Sequence, residues 1–271
     1  MIYSNNKANN KGFSLLEASI ALMVLVILMV TTVNVVKSTR DYDHLLDNDV
    51  YMKEVRSALM MFVRVNSFLP CPDSNGDGKE NRQGAPSFEC STDQGKIPYL
   101  DLGVAETDAW GQPLLYAVNA QADTPFSPTA LQASARYFDN RNPPAFSFDT
   151  FPLGRTSSGN DNRGIGNYRV CGEITSLSHG CTNSTSSDEI LEFSAIAVVV
   201  SFGQNGAAAW HAFNSKNRGE LSDAEFENVD DDQQFWKASG SRQEGQAFDD
   251  QLFWILGGDV KYAIISSGGQ L

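Results

Sequence analysis

The sequence predicts an α+β chain: one long N-terminal helix followed by a strand-rich head with long loops. Three observations carry this. Residues 18–36 (ASIALMVLVILMVTTVNVV) hold no charged side chain. Neither glycine nor proline occurs between Phe13 and Val65. Beyond Pro70 the pattern changes to short apolar runs, separated by stretches rich in Gly, Pro, Asn and Ser that mark turns and loops.

Composition sets outer bounds. The 271 residues allow one large domain or two small ones. Lys+Arg of 20 against Asp+Glu of 33 gives a net charge of −13, which argues against binding a phosphate backbone. A hydrophobic share of 41% with 10% aromatics is too rich for a disordered chain. His44, His179 and His211 are scattered and leave little material for a His-based zinc site. The mean hydropathy of −0.28 hides a very uneven distribution.

The first element is the apolar stretch 13–36. Its 24 residues make a helix of roughly 36 Å, enough for a hydrocarbon core with some tilt. A cleaved secretory signal has a shorter apolar region and a small-residue cut site, whereas this run ends in Val35-Val36-Lys37-Ser38. A simple membrane anchor leaves Glu17 unexplained, since a charge inside the membrane costs about 2.5–3.5 kcal/mol on insertion scales. Lys7 and Lys11 precede the span and Lys37 and Arg40 follow it, so charge alone leaves orientation open.

The whole segment has a third reading. Residues 11–17 are Lys-Gly-Phe-Ser-Leu-Leu-Glu. This resembles the class III signal of type IV pilins and type II secretion pseudopilins, over residues 1 to about 40. The resemblance implies a leader at 1–12, cut between Gly12 and Phe13 by a prepilin peptidase that then methylates the Phe13 amine. It implies that Glu17 pairs with that amine on a neighbouring subunit, two opposite charges in a low dielectric. One departure is Asn34, where many major pilins carry a kinking proline; Thr31, Thr32 and Asn34 are themselves poor helix formers.

From residue 38 the helix turns amphipathic. Tyr42, Leu45, Leu46, Met52, Val55, Leu59, Phe62 and Val63 recur mostly at three- and four-residue steps, with Asp43, Asp47, Lys53, Glu54 and Arg56 between them. The segments expected are therefore 13–37 in the membrane, 38–66 on the head, and 67–271 as the head. The helix ends before Pro70. The pilin resemblance implies that its second half lies on an antiparallel sheet.

Four cysteines in a chain whose head, by this resemblance, should face the periplasm favour disulfides. Of three connectivities the local one, Cys71–Cys90 with Cys171–Cys181, is expected. The absence of any CxxC argues against a four-cysteine zinc site. Asp108-Ala-Trp110-Gly111, followed by Pro113 and Tyr116, resembles an element of major pseudopilins and related minor pilins. It reads as a tight turn at Gly111 that buries Trp110 and leads into a strand at 114–118. Residues 119–165 read as long loops. Strands are expected at 168–171, 190–202, 252–256 and 260–265, the apolar run 193–201 being central and against the long helix. Residues 201–206 read as a turn.

Two segments suggest calcium. Asp73-x-Asn75-x-Asp77-Gly78 copies the first half of a calcium loop, but the twelfth position is Gly84 where a glutamate belongs, and a plain Asx turn is the alternative. The run 220–232 holds seven acids, and the pseudopilin resemblance suggests calcium at Asp230, Asp231 and Asp232; a solvated acidic face is the alternative. No catalytic motif is present, and no enzyme activity is expected. The resulting expectation is a subunit of a type IV pilus or secretion pseudopilus. It is held in the inner membrane with a periplasmic head, meets an assembly platform and other pilins in the bilayer, and is extracted into a filament. The size of the head favours a minor subunit. A pilus-tip adhesin using loops 119–165, or a membrane-tethered domain unrelated to filaments, are the alternatives.

Overall fold

The computed structural model describes residues 15–66, 69–82, 90–118, 168–172, 181, 185–230, 232–237 and 248–266. The chain divides into two compact units, Met1–Leu46 and Asp47–Leu271.

Helix α1 spans Leu15–Asn66, 52 residues, and crosses the boundary between the units. Its segment Leu15–Val33 is long and apolar enough to cross a membrane, and none of it is buried within the chain. At 1.5 Å per residue these 19 residues reach about 28 Å. A helix apolar on every side belongs in a protein core or in lipid, and no core covers this one. Its hydroxyls are satisfied locally. The Thr32 hydroxyl donates to the Leu28 carbonyl at 2.7 Å, and the Thr31 hydroxyl to that of Ile27 at 3.0 Å. Such back-bonding satisfies these hydroxyl donors within the helix itself.

In the head, Met52, Val55, Leu59 and Val63 of α1 form a buried stripe at steps of three and four. The stripe belongs to a core that includes one face of a four-stranded antiparallel sheet. The strands are β1 (Gln94–Lys96), β2 (Leu115–Val118), β5 (Ala197–Ser201) and β7 (Gln251–Ile255), in the order β1-β2-β5-β7. Alternation along the strands sorts side chains between two cores. Tyr116, Val118, Ala197, Val199 and Ile255 join the α1 side. Leu115, Ala117, Val198, Val200 and Leu252 join a second core with Tyr168, Val170 and Phe235. Strand β5 is thus buried on both faces, which is why its sequence does not alternate.

The second core lies under a three-stranded sheet of β3 (Tyr168–Cys171), β4 (Ile190–Ala195) and β6 (Gln234–Trp236), in the order β4-β3-β6. Here β3 pairs antiparallel with β4 but parallel with β6. The Tyr168 hydroxyl donates to the Val118 carbonyl at 2.9 Å and so ties the two sheets. Among the described residues, four helices complete the head: α2 (Tyr99–Leu102), α3 (Gly206–Ser215), α4 (Asp223–Glu227) and α5 (Gly257–Ser266).

Three expectations are corrected. The run 190–202 is two strands, in different sheets, that part at Ile196; there the Ile196 N–H donates to the Ile255 carbonyl at 2.9 Å. Residues 201–206 are not merely a turn, since a 3-10 turn at Gly203–Asn205 feeds directly into α3. Residues 260–265 are helical, because Asp259 accepts the Leu256 N–H at 3.0 Å and starts α5, burying Val260 and Ala263 one turn apart.

Candidate functional site

Glu17 lies in the first turn of α1 and is exposed. A carboxylate there suits the positive end of the helix dipole. Gly12, Phe13, Asp231, His179 and the expected loops 119–165 lie outside the described residues.

Asp108, 6% exposed, organises the tight turn. Its Oδ1 accepts the Trp110 and Gln112 N–H groups, both at 2.9 Å, and Gly111 takes a φ of 78°, which favours glycine. Its Oδ2 accepts the Ser201 hydroxyl at 2.7 Å. Ser201 in turn accepts from the Asn48 amide at 3.0 Å, and that amide also donates to Gln251 at 2.9 Å. A buried chain of polar groups therefore joins α1 to β5, β7 and the turn. Burial raises the Asp108 carboxyl above its ordinary range, against the lowering effect of these hydrogen bonds. Trp110 is only half-buried, contrary to expectation. The anchors are Tyr116, whose hydroxyl donates to the Pro70 carbonyl at 2.9 Å, and Trp210, whose indole N–H donates to the Pro113 carbonyl at 2.9 Å.

Both disulfides, Cys71–Cys90 and Cys171–Cys181, are present, with Cα separations of 5.1 and 5.8 Å. Between the first pair, the expected calcium loop turns its oxygens onto its own backbone. Asp73, 2% exposed, accepts the Asn75, Gly76 and Gly78 N–H groups at 3.1, 2.6 and 2.8 Å. Asn75 accepts from Asp77 N–H at 3.0 Å, and Asp77 from Lys79 N–H at 2.9 Å. Glu80 is engaged elsewhere, with Arg82 at 2.9 Å and the Cys71 N–H at 3.0 Å. The geometry is that of a series of Asx turns.

In the acidic run, Asp232 accepts twice from Gln234, and Asp230 accepts the Asp232 N–H at 3.2 Å. Glu227 accepts the Cys181 N–H at 2.8 Å. Burial, with the charges of Asp230 and Asp232 adding to it, pushes the Glu227 carboxyl up to about 8. The tightest acidic group is a different one. Among the described residues, Glu225, Asp249 and Asp250 place carboxylate oxygens within 4.8 Å of one another. Glu225 is fixed by a capping box: its N–H donates to the Ser222 hydroxyl and its Oε2 accepts the Ser222 N–H. Asp250 is held through Oδ2 by the Asn228 amide at 2.7 Å. Asp249 accepts the Gln204 N–H at 2.7 Å, and its carboxyl carbon lies only 2.5 Å from where a Cβ on Gly203 would stand. None of the expected calcium ligands belongs to this group. The one sequence signal for it was Ser222-x-x-Glu225, a capping-box pattern.

The described chain is thus an α+β protein with one membrane-length apolar helix and a disulfide-bonded, two-sheet head. No family model, curated protein or solved structure matches it.

Proposed function

We propose that the chain is a prepilin-like structural subunit of a type IV pilus or type II secretion pseudopilus, a minor one by the size of its head. The observation that carries this reading is the ordered set Gly12, Phe13 and Glu17 at the start of an uncharged membrane-length run. The exposed apolar helix and the disulfides in the head are consistent with a subunit held in the inner membrane and facing the periplasm. Cleavage after Gly12 frees the Phe13 amine, and methylation keeps its positive charge. Glu17 of one subunit meets that amine on the next as the helices pack. In low dielectric the pair is strong enough to set register, because an unpartnered Glu17 is costly there.

Mass spectrometry of the mature protein tests the processing step. The expected N-terminus is methylated Phe13; an uncut chain, or one cut beyond residue 36, refutes the reading. Glu17→Ala is expected to leave membrane insertion intact and block incorporation into filaments. Normal incorporation of that variant would remove the registration role.

A further inference from the structure

Three segments far apart in sequence converge beside the end of β5. Asn205 closes the 3-10 turn, Glu225 lies in α4, and Asp249 and Asp250 directly precede β7. Glu225 is 2% exposed and Asp250 7%. The Asn205 amide nitrogen donates to Glu225 Oε1 at 2.6 Å, which seats the Asn205 side chain against the acids. Two oxygens at this place have no donor: Asp250 Oδ1 and Asn205 Oδ1 are both buried without a hydrogen-bond partner. Polar atoms buried in that way are unfavourable and point to a missing group that is electropositive.

We infer that Glu225, Asp249, Asp250 and Asn205 form a calcium-binding site that joins the β5–α3 turn, α4 and the start of β7. The donors are all oxygens, the set chosen by a hard cation. Three carboxylate oxygens within 4.8 Å of one another lie within about 2.8 Å of a common point, close to the calcium range of about 2.3–2.6 Å. Magnesium takes shorter bonds of about 2.0–2.1 Å, keeps several waters, and is usually held by one or two carboxylates rather than by three and an amide. The supporting contacts are those of a built site. Asn228, 1% exposed, donates to Asp250 Oδ2 and also bonds the backbone of Trp236 on both sides, so it orients Asp250 from behind. The capping box fixes Glu225. Burial holds the Asp250 carboxyl well above its usual range, and the charges of Glu225 and Asp249 push it further the same way. A divalent cation among them reverses that balance.

The test uses the full chain in detergent, with melting followed in EDTA, in millimolar Ca2+ and in millimolar Mg2+. Calcium is expected to raise the melting temperature by several degrees, and magnesium by clearly less. Asp250→Asn is expected to lose the calcium shift while melting in EDTA no lower than the unsubstituted protein, since it replaces a buried carboxyl, crowded by two other acids, with an amide of the same shape. Asn205→Ala, at a half-buried position, is expected to weaken calcium binding by about tenfold or more in calorimetric titration. Asp77→Asn and Asp230→Asn are expected to keep the calcium shift. The inference is overturned by any of three results: no calcium shift, a full shift in Asp250→Asn, or loss of the shift in Asp77→Asn. An equal response to magnesium overturns the assignment to calcium.

Discussion

Leu59 of α1 is fully buried, whereas Met61, two residues on, is 56% exposed. Replacing each by alanine therefore probes whether the second half of the helix belongs to the core of the head. Leu59→Ala removes three carbons, worth about 2.4 kcal/mol at about 0.8 kcal/mol per buried carbon. Leu59 packs in one cluster with Val55, Val63, Tyr116 and Val199, and the sheet side of that cluster is held by ladder hydrogen bonds, so the site cannot collapse fully. A residual cavity brings the expected loss to about 3–4 kcal/mol, within the range for buried leucines. Met61→Ala is expected to change stability by no more than about 0.5 kcal/mol. The assay is equilibrium denaturation of the detergent-solubilised chain, followed by tryptophan fluorescence. Unfolding of the two variants at the same midpoint, or a loss under 1 kcal/mol for Leu59→Ala, refutes the assignment of the buried stripe.

Three further perturbations have defined outcomes. Replacing Cys71 and Cys90 together by serine is expected to cost about 3 kcal/mol, from the chain entropy of a loop with a sequence separation of 19, measured as a lower denaturation midpoint without reductant. Tyr116→Phe keeps the fully buried ring but removes the bond to the Pro70 carbonyl; a loss of about 1–3 kcal/mol is expected, read from the same curves. Glu227 titrates near 8 in the folded head against an ordinary value of 4.5, so its proton is held more tightly in the folded state. Its contribution is therefore complete below about pH 4.5 and is lost as pH rises through about 8. Glu227→Gln is expected to flatten that decline in melting temperature, measured in EDTA; an unchanged pH profile would contradict the burial of this carboxyl.

The parts of the fold legible in sequence are those with long, consistent patterns. The apolar run and the three–four spacing beyond it mark α1, and strands at 168–171 and about 252–256 follow from flanked apolar runs. The misread parts have short or ambiguous patterns. Strands β1 and β6 are three residues each, too short for a period to show. The segment 260–265 suits a strand or a helix equally, and Asp259 decides between them through a single backbone contact that no periodicity reports. Residues 190–202 read as one strand because both halves are apolar, while the break at Ile196 is set by pairing with β7. The acidic cluster was illegible for a related reason. Its members come from three segments, whereas Asp73, Asn75 and Asp77 share one loop and advertise a motif.

The net charge of −13 suggests a solvated acidic surface, but four carboxylates among the described residues are buried: Asp73, Asp108, Glu225 and Asp250. Local backbone amides explain three of them. Asp73 accepts three N–H groups of its own loop, Asp108 accepts two of its turn, and Glu225 accepts that of its helix cap. Each is a device that satisfies donors the fold would otherwise leave bare. Asp250 has no such role, since its Oδ2 accepts from the Asn228 side-chain amide and its Oδ1 meets no donor. Burying a carboxyl with an unmet oxygen and without stabilising any backbone group is a net cost to the fold, and such a cost is sustained where something absent from the chain itself repays it. Asp250 is therefore the residue at which the acidic composition stops describing a surface and starts describing a site.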